Sequence, residues 1–267
     1  MPLIRKETMP ELPEVETLCR QLRPVVLGTR VLKGLILDER LGTMADPGGK
    51  KVLSVLRRGK TIELKLEGDL SLLIQLRMTG RFHWQEGNDV PPRARLQLSF
   101  SHGNLFLTDV RRLATLKCDC EGKELSPGKD PLEDLDHRRL FEIAKRRRLP
   151  VKNLLMNQKV IAGIGNIYAS EILFRAGISP LRPASSLSLR DWTKIIGAAR
   201  KVLGRAVRCR GTSISDWRDL FGEKGEYQGH LLVYGRAGEA CRRCGAKVRR
   251  VALSGRGTFY CPGCQAG

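Results

Sequence analysis

The sequence predicts an α+β chain of several domains: an antiparallel β region first, a helical region second, and a cysteine-held hairpin at the end. Three observations carry this. Apolar residues alternate in the first part of the chain, they recur at helical spacing from residue 132 onward, and two Cys-x2-Cys pairs close the sequence. At 267 residues the chain has room for two domains or so with cores of their own.

The elements follow in order. Pro13 fits the first position of a helix, with Val15, Leu18 and Leu22 on its buried face and Glu14 and Glu16 favoured by the helix dipole. Residues 30–38, 51–67, 71–78, 94–101 and 105–110 read as strands, with alternation clearest at Ile62, Leu64, Leu66 and at Leu96, Leu98, Phe100. Short turns such as His102-Gly103-Asn104 fit an antiparallel meander or sandwich. The stretch 121–131, with two prolines and two glycines, reads as a linker. Helices are expected over 132–147, 151–158, 166–176 and 187–208, the last carrying Leu189, Trp192, Ile196, Ala199, Leu203 and Val207 on one face.

Charge narrows the function. A formal net charge of +20 and a pI near 10.1 point to a polyanionic partner, nucleic acid first. No apolar run reaches the roughly 18 residues of a membrane span. The start Met1 to Thr8 has no apolar signal segment, so the eight cysteines are expected reduced or metal-bound rather than paired in disulfides.

Four groups of residues carry chemistry. Met9-Pro10-Glu11-Leu12-Pro13-Glu14 places a proline behind a methionine. If the residues before it are absent, Pro10 becomes a secondary amine able to attack an aldehyde or sugar carbon, which an internal proline amide cannot do. Cys241-x2-Cys244, sixteen residues, then Cys261-x2-Cys264 has the spacing of two knuckles on one tetrahedral Zn²⁺. Between them lies a hairpin with Arg256 flanked by Gly255 and Gly257, which by itself reads as a solvated or phosphate-touching arginine. The basic run of Arg138, Arg139, Lys145, Arg146, Arg147, Arg148 and Lys152 leads into a helix-turn-helix shape with Asn166 as an N-cap, where contact with DNA competes with simple capping. Lys60 at a strand entry, Met78 and Arg111 at strand ends would, one by one, pass for an edge charge, a core residue and a surface charge.

Taken in order, the Pro10 motif, Arg58-Gly59-Lys60, Arg77-Met78-Thr79-Gly80, Asp109 to Arg112, Gly163 to Glu171, Tyr234-Gly235-Arg236 and Gly257 to Cys261 closely resemble bacterial formamidopyrimidine-DNA glycosylases, the 8-oxoguanine branch of the Fpg/Nei family, over residues 9 to about 265. The resemblance implies an N-terminal β-sandwich, a helix–two-turn–helix domain and a C-terminal zinc finger joined across a DNA cleft. The domain bounds expected are a removed or non-native leader over 1–8, the sandwich over 9–120, a linker over 121–131, the helical domain over 132–230 and the finger over 231–267.

The resemblance also implies roles. Pro10 would attack C1′ of a flipped, oxidised purine nucleotide to form an imine, Glu11 would protonate the sugar ring oxygen, and Lys60 and Arg256 would act at flanking phosphates. Arg93, Arg147, Lys152 and Asn166 would bind DNA, Met78 and Arg111 would fill the space left by the flipped base, and β- and δ-elimination would cut the strand. One structural Zn²⁺, damaged double-stranded DNA as partner, no membrane, a monomer, and a bacterial cytoplasmic, nucleoid-associated setting complete the expectation. The sequence departs from the family at Leu113, where a phenylalanine wedge is usual, at Val110 in place of proline and at Arg93 in place of histidine. These bear on damage searching and opposite-base preference. Leu12 and the long 210–234 segment favour the purine branch. An oxidised-pyrimidine enzyme, and a non-catalytic zinc DNA binder should Pro10 stay blocked, are the alternatives.

Overall fold

A computed structural model describes residues 9–119, 128–133, 135–214 and 216–265, so the leader expected over 1–8 and most of the linker expected over 121–131 lie outside the described residues. The chain divides into two compact units, residues 1–126 with 209–228 and residues 127–208 with 229–267.

The first unit is a sandwich of two four-stranded antiparallel sheets behind one helix. Helix α1 (Leu12–Val26) starts where Pro13 fits the first turn, and the Glu14 carboxylate accepts from the Glu11 N–H at 2.8 Å. One sheet has the order β1 (Lys33–Ile36), β6 (Ala94–Phe100), β7 (Gly103–Asp109), β5 (Gly80–Gln85). The other runs β2 (Val52–Arg58), β3 (Thr61–Leu66), β4 (Ser71–Gln75), β8 (Thr115–Asp119). Val15, Leu18 and Leu22 of α1 share one core with Ile62 and Leu64 from one sheet and Leu96 and Leu98 from the other, as the alternation predicts.

Three expectations change here. The single strand read over 51–67 is two, because Gly59, at φ +62, folds β2 back onto β3 through a two-residue turn with Lys60. Strands β5 and β8 are not legible as alternation. Each is an edge strand of its sheet, and GRFHWQ and TLKCD put polar and aromatic side chains where a central strand would repeat aliphatics. The strand read over 71–78 ends at Gln75, leaving Met78 in a turn.

Residues 209–228, which chain order places after the helices, are tied into the first unit. Gln21 on α1 donates to Asp219 at 2.8 Å and accepts from the Leu220 N–H at 3.0 Å, and Trp217 and Leu220 enter the sandwich core.

The second unit holds α2 (His137–Ala144), α3 (Val151–Leu155), α4 (Asn166–Ala176), α5 (Leu189–Arg208) and the hairpin β9 (Arg249–Leu253)–β10 (Arg256–Tyr260). α2 and α3 are shorter than expected: Asp136 caps the first by accepting from the Arg138 N–H, and the second starts at Val151 behind Pro150 as read but ends at Leu155. The predicted α5 face is buried from Trp192 to Val207, while Leu189 at its start is exposed. Ser254 and Gly255, at φ +48 and +74, form a two-residue hairpin turn of the kind that matches strand twist.

Candidate active site and nucleic-acid interface

Pro10 is buried at the head of α1, directly before Glu11, which is 3% exposed. Glu14 locks this corner. One of its oxygens takes the Glu11 N–H, and the other takes the Thr212 N–H at 2.7 Å. Gly211 beside it is at φ +81, and a Cβ there would stand 2.6 Å from the Glu14 carboxylate, so only glycine fits. The helix behind is pinned sideways by Glu16, which accepts from Arg20 at 2.8 Å and Arg57 at 3.0 Å. Burial pushes the Glu16 carboxyl up, but the Arg20 and Arg57 guanidiniums more than offset this and hold it below the ordinary range.

Lys60 sits half-buried in the β2–β3 turn. Met78 and Arg111, far apart in sequence, are brought together: Arg111 Nη1 lies 3.6 Å from Met78 Sδ. Val110 and Leu113 of the same loop are exposed, at 68% and 38%. Arg93 is exposed at φ +65, and its carbonyl accepts from the Asp109 N–H at 3.1 Å.

In the second unit Lys152 and Asn166 join around the zinc hairpin. Lys152 is 1% exposed, and its ammonium donates to Asn166 Oδ1 at 2.6 Å, Thr258 Oγ1 at 2.8 Å and the Gly257 carbonyl at 3.5 Å. Asn166 Nδ2 donates to the Gly257 carbonyl at 3.1 Å. The N-cap of α4 is therefore Gly165 rather than Asn166, whose side chain is engaged in these tertiary bonds. Arg256 is exposed as the first residue of β10, with no side-chain partner among the described residues. Arg147 is half-buried in the turn after α2, where its carbonyl accepts from the Ser185 N–H at 3.0 Å.

Cys241, Cys244, Cys261 and Cys264 bring their Sγ atoms within 4.8 Å of one another. The Cys241–Cys264 and Cys244–Cys261 separations are 3.9 and 3.4 Å. A tetrahedral Zn²⁺ with Zn–S of about 2.3 Å requires an edge of about 3.8 Å, so the four thiols fit one structural zinc. Gln265 secures the second knuckle by accepting from the Cys261 N–H and donating to the Ile178 carbonyl, both at 2.9 Å.

Sequence reasoning missed the work of two acids. Glu14 reads as a dipole partner but braces the Pro10 corner. Glu171, 1% exposed on α4, accepts from the N–H groups of Leu232, Val233 and Tyr234 at 2.8–2.9 Å and so fastens the approach to the finger. An acid among Ile167, Tyr168, Ala169 and Ile172, on a helix buried nearly all round, was the available signal.

Comparison with known proteins places nearly all of the chain from residue 9 onward. The formamidopyrimidine-DNA glycosylase N-terminal domain matches residues 9–116, the H2TH domain of the same enzymes matches residues 127–217, and the zinc finger found in FPG and IleRS matches residues 238–267. The chain is 38% identical to the formamidopyrimidine-DNA glycosylase of Desulfitobacterium hafniense over 274 residues, covering 96% of this chain and all of that one. It is 40% identical to the Thermus thermophilus enzyme, over 96% of this chain and 98% of that one. The crystal structure of the MutM (Fpg) protein from Thermus thermophilus superposes with a TM-score of 0.88 at 39% identity, covering 96% and 98% of the two chains. Lactococcus lactis Fpg in complex with DNA containing an abasic site superposes with a TM-score of 0.89 at 30% identity, covering 96% and 100%. With all three family segments matched in order and relatives this similar along nearly their full length, the chain belongs to the formamidopyrimidine-DNA glycosylase family.

Proposed function

We propose that this chain excises oxidised purines, 8-oxoguanine and formamidopyrimidines, from duplex DNA as a bifunctional glycosylase and AP lyase of base excision repair, in the bacterial cytoplasm at the nucleoid. The observation that carries the reading is Pro10-Glu11 held at the head of α1 by Glu14, in a chain whose family uses an N-terminal proline.

The Pro10 nitrogen, freed of residues 1–9, is a secondary amine with a lone pair available once deprotonated. Its lone pair forms a bond to C1′ of the flipped nucleotide as the N-glycosidic bond breaks, with that electron pair leaving on the base. Glu11 protonates the ring oxygen so that the sugar opens to the imine. β-Elimination then expels the 3′ phosphate, δ-elimination the 5′ phosphate. Lys60 and Arg256 neutralise charge at the phosphates beside the lesion. Lys152, Asn166, Arg147 and Arg93 hold the backbone, and Met78 and Arg111 enter the space the nucleotide leaves. Bound zinc supplies the folding free energy that keeps the Arg256 hairpin formed.

Borohydride reduces an imine to a stable amine. A protein starting at Met9 and processed to Pro10 should therefore be trapped covalently on DNA carrying 8-oxoguanine opposite cytosine, and failure of the processed form to trap sinks the lyase reading. A second reading, a zinc-dependent DNA binder without lyase chemistry, draws on one feature: in the sequence as it stands the Pro10 nitrogen carries Met9. N-terminal sequencing of the natively produced protein separates the two.

A further inference from the structure

The turn carrying Met78 and the loop carrying Arg111 and Leu113 converge on one carboxylate. Asp109, at the end of β7 and 1% exposed, accepts from the N–H of Arg111 at 3.1 Å and from those of Leu113 and Ala114 at 2.6 Å each. It also accepts from the Thr79 hydroxyl, next to Met78. Behind it lies Arg95, 1% exposed, which donates to Asp109 at 3.3 Å, to the Ala114 carbonyl at 2.9 Å and to Asp38 at 2.7 Å. Asp38 in turn accepts Nε of Arg112 at 2.7 Å and also its Nη2.

This is more than two short loops need in order to close. Buried charges cost several kcal/mol each unless paired and fully bonded, and Arg95 Nη2 has no acceptor among the described residues. Arg77 and Arg112 are held at φ +55 and +56, a left-handed backbone that costs a non-glycine residue about 1 kcal/mol or more. What the network supports is a pair of loop tips bearing Met78 and Arg111 in mutual contact, with Leu113 exposed beside them. A leucine is a smaller wedge than the aromatic it replaces, so its effect depends on the loop not yielding when pressed into stacked bases.

We infer that Asp109, backed by Arg95 and Asp38, is a positioning residue that sets the Met78–Thr79 and Arg111–Leu113 loops as one preorganised wedge for opening duplex DNA. The inference rests on the reading that Met78 and Arg111 fill the space left by the flipped nucleotide. Asp109 touches no reacting atom. It acts by removing the cost of ordering two loops at the moment of insertion.

The test uses the full processed protein and a ratio: incision of 8-oxoguanine duplex divided by incision of a single-stranded oligonucleotide carrying an abasic site, which has no stacked partner strand to wedge apart. Thr79→Val cuts the link between the loops at their surface, and Asp109→Asn removes the central charge, with thermal unfolding to show that each variant is folded. Both should lower the ratio, Asp109→Asn by about tenfold or more, with the loss in kcat/KM for duplex. Arg111→Ala is the control for the underlying reading. If Arg111→Ala lowers the ratio while folded Thr79→Val and Asp109→Asn leave it at the wild-type value or reduce both substrates equally, the positioning role is overturned. If Arg111→Ala leaves the ratio unchanged, the void-filling reading itself fails and the inference goes with it. Should Asp109→Asn not fold, Thr79→Val alone decides.

Discussion

The Pro10 corner and the Arg256 hairpin each carry one group to which the proposed function gives a role on DNA, but they are held by different forces. Pro10 stands at the head of a helix whose apolar face is fixed by the sandwich core, with polar bonds from Glu14, Glu16 and Gln21 added to that packing. The hairpin has little core of its own. Of its ten strand residues only Thr258 and Phe259 are buried, and its position comes from Lys152, Asn166, a Tyr234–Phe259 ring contact at 4.9 Å and four cysteines. A region held by many apolar contacts tolerates the loss of any one. A region held by a metal and a few buried polar bonds does not.

The largest expected effect breaks the comparison at the first site without touching its fold. A chain kept intact from a non-removable tag before Met1 leaves Pro10 an amide, without a proton or an available lone pair, and its nicking of 8-oxoguanine duplex should fall by about a thousandfold or more, the scale on which losing a covalent nucleophile acts. Binding to the same duplex should remain, because it rests on phosphate neutralisation, and in both forms it should weaken steeply with salt. Equal nicking by the intact long form refutes the Pro10 mechanism. The next effect breaks the second site alone. Chelation, or Cys244→Ser, should lower DNA affinity by about tenfold or more while the sandwich still unfolds cooperatively at its usual denaturant midpoint. Full retention of lesion incision by the metal-free protein would remove the hairpin from the reaction.

The same difference decides what the sequence discloses. Ile62, Leu64, Leu96 and Leu98 announce the sandwich because burial on one sheet face imposes a period of two, and Trp192 to Val207 announce α5 because its buried stripe imposes a period of 3.6. Cys241 to Cys264 announce the finger because ligand spacing is set by the metal. Polar bonds leave no period. Lys152 reads as one more cation in a basic run, yet it is buried and donates to Asn166 and Thr258. Asn166 reads as a helix cap but is used across the unit, and Glu14 reads as a dipole partner but bridges Glu11 to Thr212, almost two hundred residues away in sequence. Edge strands β5 and β8 escape for a related reason, since neighbours on one side only impose a weaker pattern.

Lys152 sharpens the contrast at the level of a single side chain. Lys152→Met keeps most of the length and the apolar stem but leaves Asn166 Oδ1 and Thr258 Oγ1 without this donor inside the second unit. A buried acceptor left unmet costs about 1–3 kcal/mol, partly offset because the variant no longer buries a charge. Chemical denaturation should show the second unit destabilised by about 1–3 kcal/mol with the first unchanged, and DNA affinity should fall with it. A variant as stable as the wild type would mean that the zinc and the ring contact hold the hairpin without these bonds.

The smallest effect is a pH dependence of the first unit. Burial alone would push the Asp109 carboxyl up, but hydrogen bonds from the Ala114, Leu113 and Arg111 N–H groups and the Thr79 hydroxyl outweigh it and hold the group below the ordinary carboxylate range. Asp38 is held well below that range, first by the Arg112 guanidinium. A carboxyl that is more acidic folded than unfolded contributes stability that is present above its unfolded pKa of about 4 and is lost as pH falls through the lower folded value. The first unit should therefore lose on the order of 1 kcal/mol per such group as the pH drops from about 5 toward 3. Fluorescence can follow it alone in a Trp192→Phe background, because Trp84 and Trp217 belong to the first unit and the Trp192 indole N–H has no partner to lose among the described residues. Asp109→Asn should start lower at pH 7 and show a shallower acid slope. An unchanged slope would mean that the carboxyl is no more acidic in the folded chain than in the unfolded one, and that the two loops are held by something other than the charge beneath them.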